Sequence, residues 1–512
     1  MYKLLKTTLA ASLGLLAIGP AANAATTYTF NSALTGSQSW TTTTNWSPTG
    51  NPGSAGSYTD VATIAPVSGA LNVTTPGSAT TIGLINLTGS AGNALTLTLG
   101  NDLIIDTIHT AAARSTFNNT SGVASNLVLD LNGYNFTAIT TSGGNNYGFA
   151  ILMGSGLSMN ITSNSGGTFT NDGWGASFTG PFVNLQGNAT ARVQLGGAYT
   201  VYANNTTFSS GSTFVVAGGG ASAGASTVAL YAKATTPFGN LVLGDTVNSA
   251  HYTDVVMQTA AGGQTATIAG NLSLLGGKTN MYLGYNSSSY FKALKIAGNF
   301  TDEGGSVSGY NKTGGTPSNS TISFTGGAGT EHTVSVNRNL GVISGTVTNF
   351  EVGDGTTAGN IKLVNPSATV GALYMAGSMT VYAGSRLNLD HSTTTGNVAS
   401  LRAGSIIVGT GATIGVTFGD HSGYAVADAT LGGTGNLTLN TFNLELNYSG
   451  SGWVDGSDLL LFHFTGSLTG TPTLGTVSVT GYNYGGLFYD NLTKNVYLTG
   501  LTAVPVPEPG SA

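Results

Sequence analysis

Ala269-Gly270-Asn271-Leu272-Ser273-Leu274 is the stretch on which the reading of this chain turns. A Gly-Asn pair, suited to a turn, runs straight into apolar residues that alternate with a polar one, as a half-buried strand requires. The same element recurs on either side, at Gly239-Asn240-Leu241 and Ala297-Gly298-Asn299-Phe300. Further copies stand at Gly92-Asn93-Ala94-Leu95, Ala358-Gly359-Asn360-Ile361 and Gly435-Asn436-Leu437. Asn240 and Asn271 are 31 residues apart, Asn271 and Asn299 are 28 apart, and Asn299 and Asn360 are 61 apart, about twice that step. A period near 30 lies within the roughly 20–50 residues of solenoid and propeller repeats. It is also the length that three short strands and three turns consume.

Outward from this stretch the period-two pattern continues. Leu95, Leu97 and Leu99 lead to Gly100-Asn101, and Leu127, Leu129 and Leu131 lead to Asn132-Gly133. Val193 and Leu195 precede Gly196-Gly197, Leu241 and Leu243 precede Gly244-Asp245, and Met379 is followed by Val381. Leu387 and Leu389 precede Asp390, Leu437 and Leu439 precede Asn440, and Phe442, Leu444, Leu446 and Tyr448 precede Ser449-Gly450. Strands with one buried face and closely spaced turns are expected nearly everywhere.

Composition agrees. Of 512 residues 78 are Gly, none is Cys and only 7% are charged, against roughly 25% in an ordinary domain. Hydrophobic residues make up 40%, too many for a disordered polar chain. Surface polarity must come from Thr, Ser, Asn and backbone, which suits strands and lacks the residues that fill exposed helix faces. Fourteen basic and 20 acidic residues leave a net charge of −6, with a pI near 5.4. Such a chain has no basic field for a polyanion, so nucleic acid is excluded as a partner class. The missing Cys rules out disulfides and thiolate metal sites.

One coil of about 30 such residues cannot make a core alone, but coils above and below extend it. Backbone pairing then runs along the stacking axis and leaves Thr and Asn ladders facing water. The expected fold is all-β: a right-handed parallel β-helix (β-solenoid) with about three strands per coil, a rod roughly 70 Å long at ~4.8 Å per coil. Gly-rich insertions such as Gly218–Ala225 are expected to loop off it. A chain of β-sandwiches or a propeller is the alternative. A membrane barrel fits less well, because no aromatic banding is visible.

The N-terminus carries a secretion pattern. Lys3 and Lys6 precede the apolar run Leu9–Ile18, Gly19-Pro20 break it, and Ala22-Asn23-Ala24 supplies a small-x-small site with Ala25 as the mature start. The apolar run is about half the ~20 residues of a membrane span. At the other end, Val506-Pro507-Glu508-Pro509 locks two φ angles around one carboxylate, a stiff element suited to being presented rather than packed. The expected organisation is signal peptide 1–24, solenoid body 25–450, C-terminal β cap 451–503 and tail 504–512.

Several of these segments resemble a known family. Trp40-Thr41-Thr42-Thr43-Thr44-Asn45-Trp46-Ser47, with Asn51-Pro52-Gly53 and Asp60-Val61-Ala62, is similar to the opening element of surface proteins carrying autotransporter-associated β-strand repeats. Leu431-Gly432-Gly433-Thr434-Gly435-Asn436-Leu437 resembles the strand turn of those repeats. Asp458–Phe462, Gly486–Asp490 and Val496–Thr499 resemble their closing segment, and Val506–Pro509 resembles the start of a PEP-CTERM sorting signal. The resemblance implies a Gram-negative bacterium that makes exopolysaccharide, and a transpeptidase-like sorting enzyme acting on the tail. A full signal of that kind continues into a membrane helix and an Arg cluster. This chain reaches Gly510-Ser511-Ala512 without them, so a truncated signal with its membrane anchor absent from this chain is expected.

Chemistry-bearing residues are sparse. Asp455 and Asp458 stand near His463, readable as an acid/base pair or a Ca²⁺ corner, or as a polar turn before Leu459-Leu460-Leu461; the turn is the reading adopted. Asp390-His391 and Asp420-His421 are neighbours whose side chains leave a strand on opposite faces. Glu331-His332, His251 with Asp254, and His109 look isolated, and Gly353-Asp354-Gly355 reads as a turn. No metallopeptidase, nucleophile-elbow, phosphate-loop or Ca²⁺-nonapeptide motif occurs, so neither metal nor cofactor is expected and no residue is assigned a catalytic role. Tyr282, Tyr285 and Tyr290 are the candidates for stacking on sugar rings, with rings tucked into coil edges as the plainer alternative.

The function expected is a secreted, non-enzymatic surface or matrix scaffold. It would contact neutral exopolysaccharide or other surface proteins, and a β-helix polysaccharide lyase or glycosidase is the alternative. That alternative requires acids from successive coils to meet in one groove.

Overall fold

The structure is a computed structural model. It describes residues 26–54, 60–106, 116–120, 123–139, 159–165, 168–172, 183–195, 199–202, 207–218, 227–232, 235–244, 253–259, 262–276, 279–284, 290–303, 306–311, 320–336, 349–364, 373–391, 400–419, 425–430, 434–450 and 454–504. Among these residues there is no α-helix, and strands dominate.

The chain winds as stacked coils. Val61–Ile64, Leu71–Thr74 and Thr80–Ile82 make one winding, one strand on each of three faces. Leu84–Gly89, Leu95–Thr98 and Leu103–Asp106 lie on the next, and Thr116–Asn119, Leu127–Asp130 and Phe136–Ile139 on the one after. Each strand pairs in parallel with its counterpart one winding away: Val61 with Leu84, Leu71 with Leu95, Leu95 with Leu127, and Leu103 with Phe136. The expected β-solenoid with three strands per coil is what the chain forms.

The third face is the longest, an unbroken sheet of fifteen strands from Thr80–Ile82 to Thr473–Val479. At ~4.8 Å per strand it runs for about 70 Å. On this face the residue step between windings varies from 22 (Thr168 to Thr190) to 34 (Phe300 to Val334), so the period near 30 is an average over loops of different length. The second face holds a six-stranded and a thirteen-stranded sheet. Between them, Leu185 bridges Phe208 and Phe238 bridges Ile268.

Inward residues of all windings merge into one apolar cluster that extends from Phe30 to Leu501. Phe300, Val334, Leu363, Leu389, Val416 and Leu446 form one continuous row of it. Aromatic rings repeat the stacking: Phe136 lies 5.3 Å from Phe169 and Phe324 lies 6.2 Å from Phe350.

At Gly270 and Gly298 the Gly of the Gly-Asn pair has a steric cause. Asn240 Oδ1 accepts the Asn271 N–H at 2.9 Å, Asn271 Oδ1 accepts the Asn299 N–H at 2.8 Å, and Asn299 Oδ1 accepts the Thr333 N–H at 2.8 Å. Each Asn thus satisfies a backbone donor one winding on. The Gly before it must leave room: a Cβ at Gly298 would stand 2.5 Å from both Asn271 Oδ1 and the Gly270 oxygen. Gly270 and Gly466 face Asn240 and Asn436 in the same way.

The two ends differ. At the N-terminal end Trp40 is fully buried, its indole N–H donating to the Pro52 oxygen at 3.1 Å, and Trp46 donates to the Trp40 oxygen at 2.8 Å. Asp60 accepts the Gly53 N–H at 3.0 Å. The opening motif singled out in the sequence therefore builds the plug of that end. At the other end the parallel winding runs through Ser457–Phe464 and Thr473–Val479, and only from Tyr482 on does the pairing change sense. Asn495–Ala503 lies antiparallel to Ser457–Phe464 on one side and to Gly486–Asp490 on the other.

Candidate functional site

The outer side of the fifteen-stranded sheet carries the concentration of charge. Register sets Thr333, Lys362, Asn388, Gly415, Glu445 and Ser478 in one outward row across six windings. Glu331 and Arg386 flank that row on one side, and Asp390, Thr417 and Asn447 on the other. All of these but Thr333 and Asp390 line an open groove, together with Leu389, Val416, Leu446 and Thr480.

Gly415 makes the groove. It is the one position in the row with no side chain, and Asn388 leans over it into the space a Cβ would fill. Arg386 spans the same winding to reach Glu445, Nη2 to Oε2 at 2.5 Å, while its Nε donates to Asn388 Oδ1 at 2.9 Å. Asn388 in turn donates through Nδ2 to Glu331 Oε2. Lys362 lies 3.7 Å from Asp390. The arrangement is a chain, Glu331–Asn388–Arg386–Glu445, drawn from windings that are 57 residues apart in sequence at its first link. Exposed ion pairs of this sort contribute only about 0–1 kcal/mol each, so stability alone accounts poorly for collecting them on one stretch of a face whose outward row elsewhere includes Ile104, Thr137, Thr170, Arg192, Val215, Val242, Ser273 and Thr301. Chemically the groove offers planar amide, guanidinium and carboxylate edges that can hydrogen-bond vicinal hydroxyls.

Three of the 20 acids, Glu331, Asp390 and Glu445, thus meet on this stretch, and the isolated reading of Glu331 is corrected: the stacking brings it to Asn388. Sequence inspection missed this because loops of unequal length hide the register. The spacings of 26, 27 and 30 residues that link Lys362, Asn388, Gly415 and Glu445 are the signal that could have found it.

The other candidates are placed elsewhere. His463 meets Asp428 rather than Asp455 or Asp458, with Nδ1 3.1 Å from Asp428 Oδ1, and Arg402 Nε lies 3.2 Å from the other carboxylate oxygen. Asp455 and Asp458 accept the backbone N–H groups of Ala503 and Gly500, both at 2.9 Å, and so pin the last strand. The Asp354 turn is an Asx turn, its Oδ1 accepting from Thr356 and Thr357, with Lys295 at the other oxygen. Burial pushes that carboxyl up, but the Lys295 ammonium and the Thr357 and Thr356 donors together hold it well below the usual range.

Tyr282 and Tyr290 are both half-buried, Tyr282 in Thr279–Gly284 and Tyr290 in an antiparallel bridge with Gly284. Burial first, and then the Asp254 carboxylate, push the Tyr282 hydroxyl up to about 12. Neither ring offers a fully exposed platform. Tyr285, the cleavage-site residues Ala22, Ala24 and Ala25, and the tail residues Val506, Pro507, Glu508 and Pro509 lie outside the described residues. So do Gly219–Ala225, Leu431–Gly433, His109, His251, Asp420 and His421. Among the described residues no group of three or more His, Asp or Glu side chains is arranged to hold a metal ion, and no helix is long and apolar enough to cross a membrane. No family model, curated protein or solved structure matches the chain.

Proposed function

We propose that this chain is an extracellular scaffold, exported through its N-terminal signal and sorted to the surface of a Gram-negative bacterium by an enzyme that acts on the Val506–Pro509 tail. The rod spaces and adheres rather than turning over a substrate, and its groove face contacts neutral exopolysaccharide or neighbouring surface proteins. The observation that carries this reading is the fifteen-stranded sheet, paired without a break along its axis, whose outward rows mix Thr, Ser and Asn with Ile104, Arg192, Val215 and Val242 and carry a charged groove toward the C-terminal end. Low net charge favours contact through hydroxyl and amide hydrogen bonding over long-range capture.

The groove also supports the second reading, a glycan-degrading enzyme, because Glu331 and Glu445 come from different windings. In it, however, Glu445 is engaged by Arg386 and Glu331 by Asn388. The test is affinity electrophoresis of the purified chain in gels cast with neutral and with acidic exopolysaccharide, alongside a reducing-end assay. Retardation without new reducing ends supports the scaffold. Release of oligosaccharides that Glu445→Gln abolishes would establish the enzyme instead.

A further inference from the structure

Among the described residues the fifteen-stranded sheet is covered at one end and unpaired at the other. At the N-terminal end the edge strand Thr80–Ile82 has the burial of an interior strand, and Gly53 is packed so tightly on it that a Cβ there would stand 2.8 Å from Ile82, Thr80 and the Thr81 oxygen. At the C-terminal end the edge strand Thr473–Val479 pairs with Thr441–Tyr448 on one side, and no described strand pairs with it on the other. Its sequence, Thr-Leu-Gly-Thr-Val-Ser-Val, contains no charge and no Pro. Charge and Pro are two of the devices that normally blunt an edge; a third, a bulge, interrupts this strand between Leu474 and Val477 and leaves Val477–Val479 as its regular paired stretch.

A second observation concerns the core. Phe442, Leu444 and Leu446 are buried in the penultimate strand, whereas their partners Leu474, Val477 and Val479 are only half-buried. The apolar interior therefore surfaces at this edge. The same end carries Val454, Tyr484, Phe488, Leu492 and Val504, five of the seven exposed large apolar side chains among the described residues.

We propose that this edge is the interface between two copies of the chain, joined tail to tail. The opposite edge of the sheet is covered, so head-to-tail growth through it is blocked, and a symmetric pair of like edges is the arrangement that closes. Any dyad through a residue of the strand keeps inward residues opposite inward residues, and the one at Ser478 is the choice that pairs the two valines of the regular stretch with each other. It sets Val477 of each copy opposite Val479 of the other on the core side, and Ser478 opposite itself on the outer side. Antiparallel addition of this kind supplies main-chain hydrogen bonds and two apolar cross-strand pairs. It continues the sheet into a second solenoid and doubles the length of the rod. A single strand edge is a small interface, so a concentration-dependent dimer is expected rather than an obligate one.

The test is sedimentation equilibrium of the full secreted chain, up to about 100 μM, where even an interface at the small end of the range associates. A monomer–dimer equilibrium is expected. Ser478→Lys puts two ammonium groups face to face across the dyad while each has Glu445 of its own chain beside it, and should weaken the dimer at least about tenfold without lowering the melting temperature. Thr476→Lys, exposed on the same strand, should act in the same direction. Ser37→Lys, on an exposed strand at the plugged end, should leave the dimer unchanged. A chain that stays monomeric at the highest concentration overturns the proposal. So does a dimer that tolerates both Lys substitutions, or one that Ser37→Lys breaks.

Discussion

Replacing Gly298 by Ala sets two physical rules against each other. Gly298 does not have positive φ, so backbone entropy alone would make Ala stabilising, by about 0.4–1 kcal/mol. Packing says the reverse. The new Cβ would stand 2.5 Å from Asn271 Oδ1 and from the Gly270 oxygen, about 1 Å inside ordinary contact. Relief requires the two windings to part. That strains the Gly298 N–H to Gly270 oxygen bond of 2.9 Å and the Asn299 N–H to Asn271 Oδ1 bond of 2.8 Å. Each is worth about 0.5–1.5 kcal/mol and the overpacking about 1–3, so a net loss of about 2–4 kcal/mol is expected. Asn271→Ala removes only an exposed acceptor that water can replace, and should cost about 1 kcal/mol. The double variant should show positive coupling, yet incomplete rescue, because the Gly270 carbonyl still blocks the Cβ. Solenoids open locally, so native-state hydrogen exchange of windings 264–311 is the suitable assay, with urea unfolding as a cross-check. A neutral or stabilising Gly298→Ala would refute the steric account of the Gly-Asn repeat.

Four further outcomes follow from particular contacts. Phe136→Ala, which empties a site between Phe117 and Phe169, should cost about 3–5 kcal/mol in urea unfolding, with loss of protection centred on its own and neighbouring windings. Trp40→Phe should lower the thermal midpoint by removing the indole donor to Pro52, and exchange should rise first in residues 27–64. Asp354 has a depressed carboxyl pKa in the folded chain, so its contribution is complete above the ordinary Asp pKa and fades as pH falls toward the folded value. Asp354→Asn should therefore be less stable than the parent at neutral pH and converge on it in strong acid, read as thermal midpoint against pH. In the groove, Gly415→Ala should displace Asn388 and release Arg386, and Asn388→Ala in the same chain should restore most of the lost stability.

Period-two runs such as Leu95–Leu99 and Leu127–Leu131 were legible because a strand buries alternate residues whatever its neighbours are. The stacking was legible too, since Asn240, Asn271 and Asn299 recur at nearly one coil. What stayed hidden was register. Steps between windings vary from 22 to 35 residues, so a reader of sequence could not place Glu331, Arg386 and Glu445 on one face. The same blind spot made Asp455 and Asp458 look like partners of His463 by proximity in sequence. Parallel winding puts His463 beside Asp428 instead, 35 residues earlier. The reason for Gly before Asn was equally out of reach, because the clash that forbids a side chain comes from the winding below.

The account rests on consecutive windings lying in register, and the absence of Cys makes that directly measurable. Thr301 and Ser335 are outward register partners on adjacent windings, as are Thr96 and Val128. Adjacent parallel strands lie ~4.8 Å apart, within the Cα range of a disulfide. The double variants Thr301→Cys with Ser335→Cys, and Thr96→Cys with Val128→Cys, should each close a disulfide on mild oxidation. Thr301→Cys with Val334→Cys, which sets one thiol outward and the other into the core, should not. Linkage of that mixed pair as readily as the outward ones, or failure of both outward pairs, would contradict the stacked solenoid.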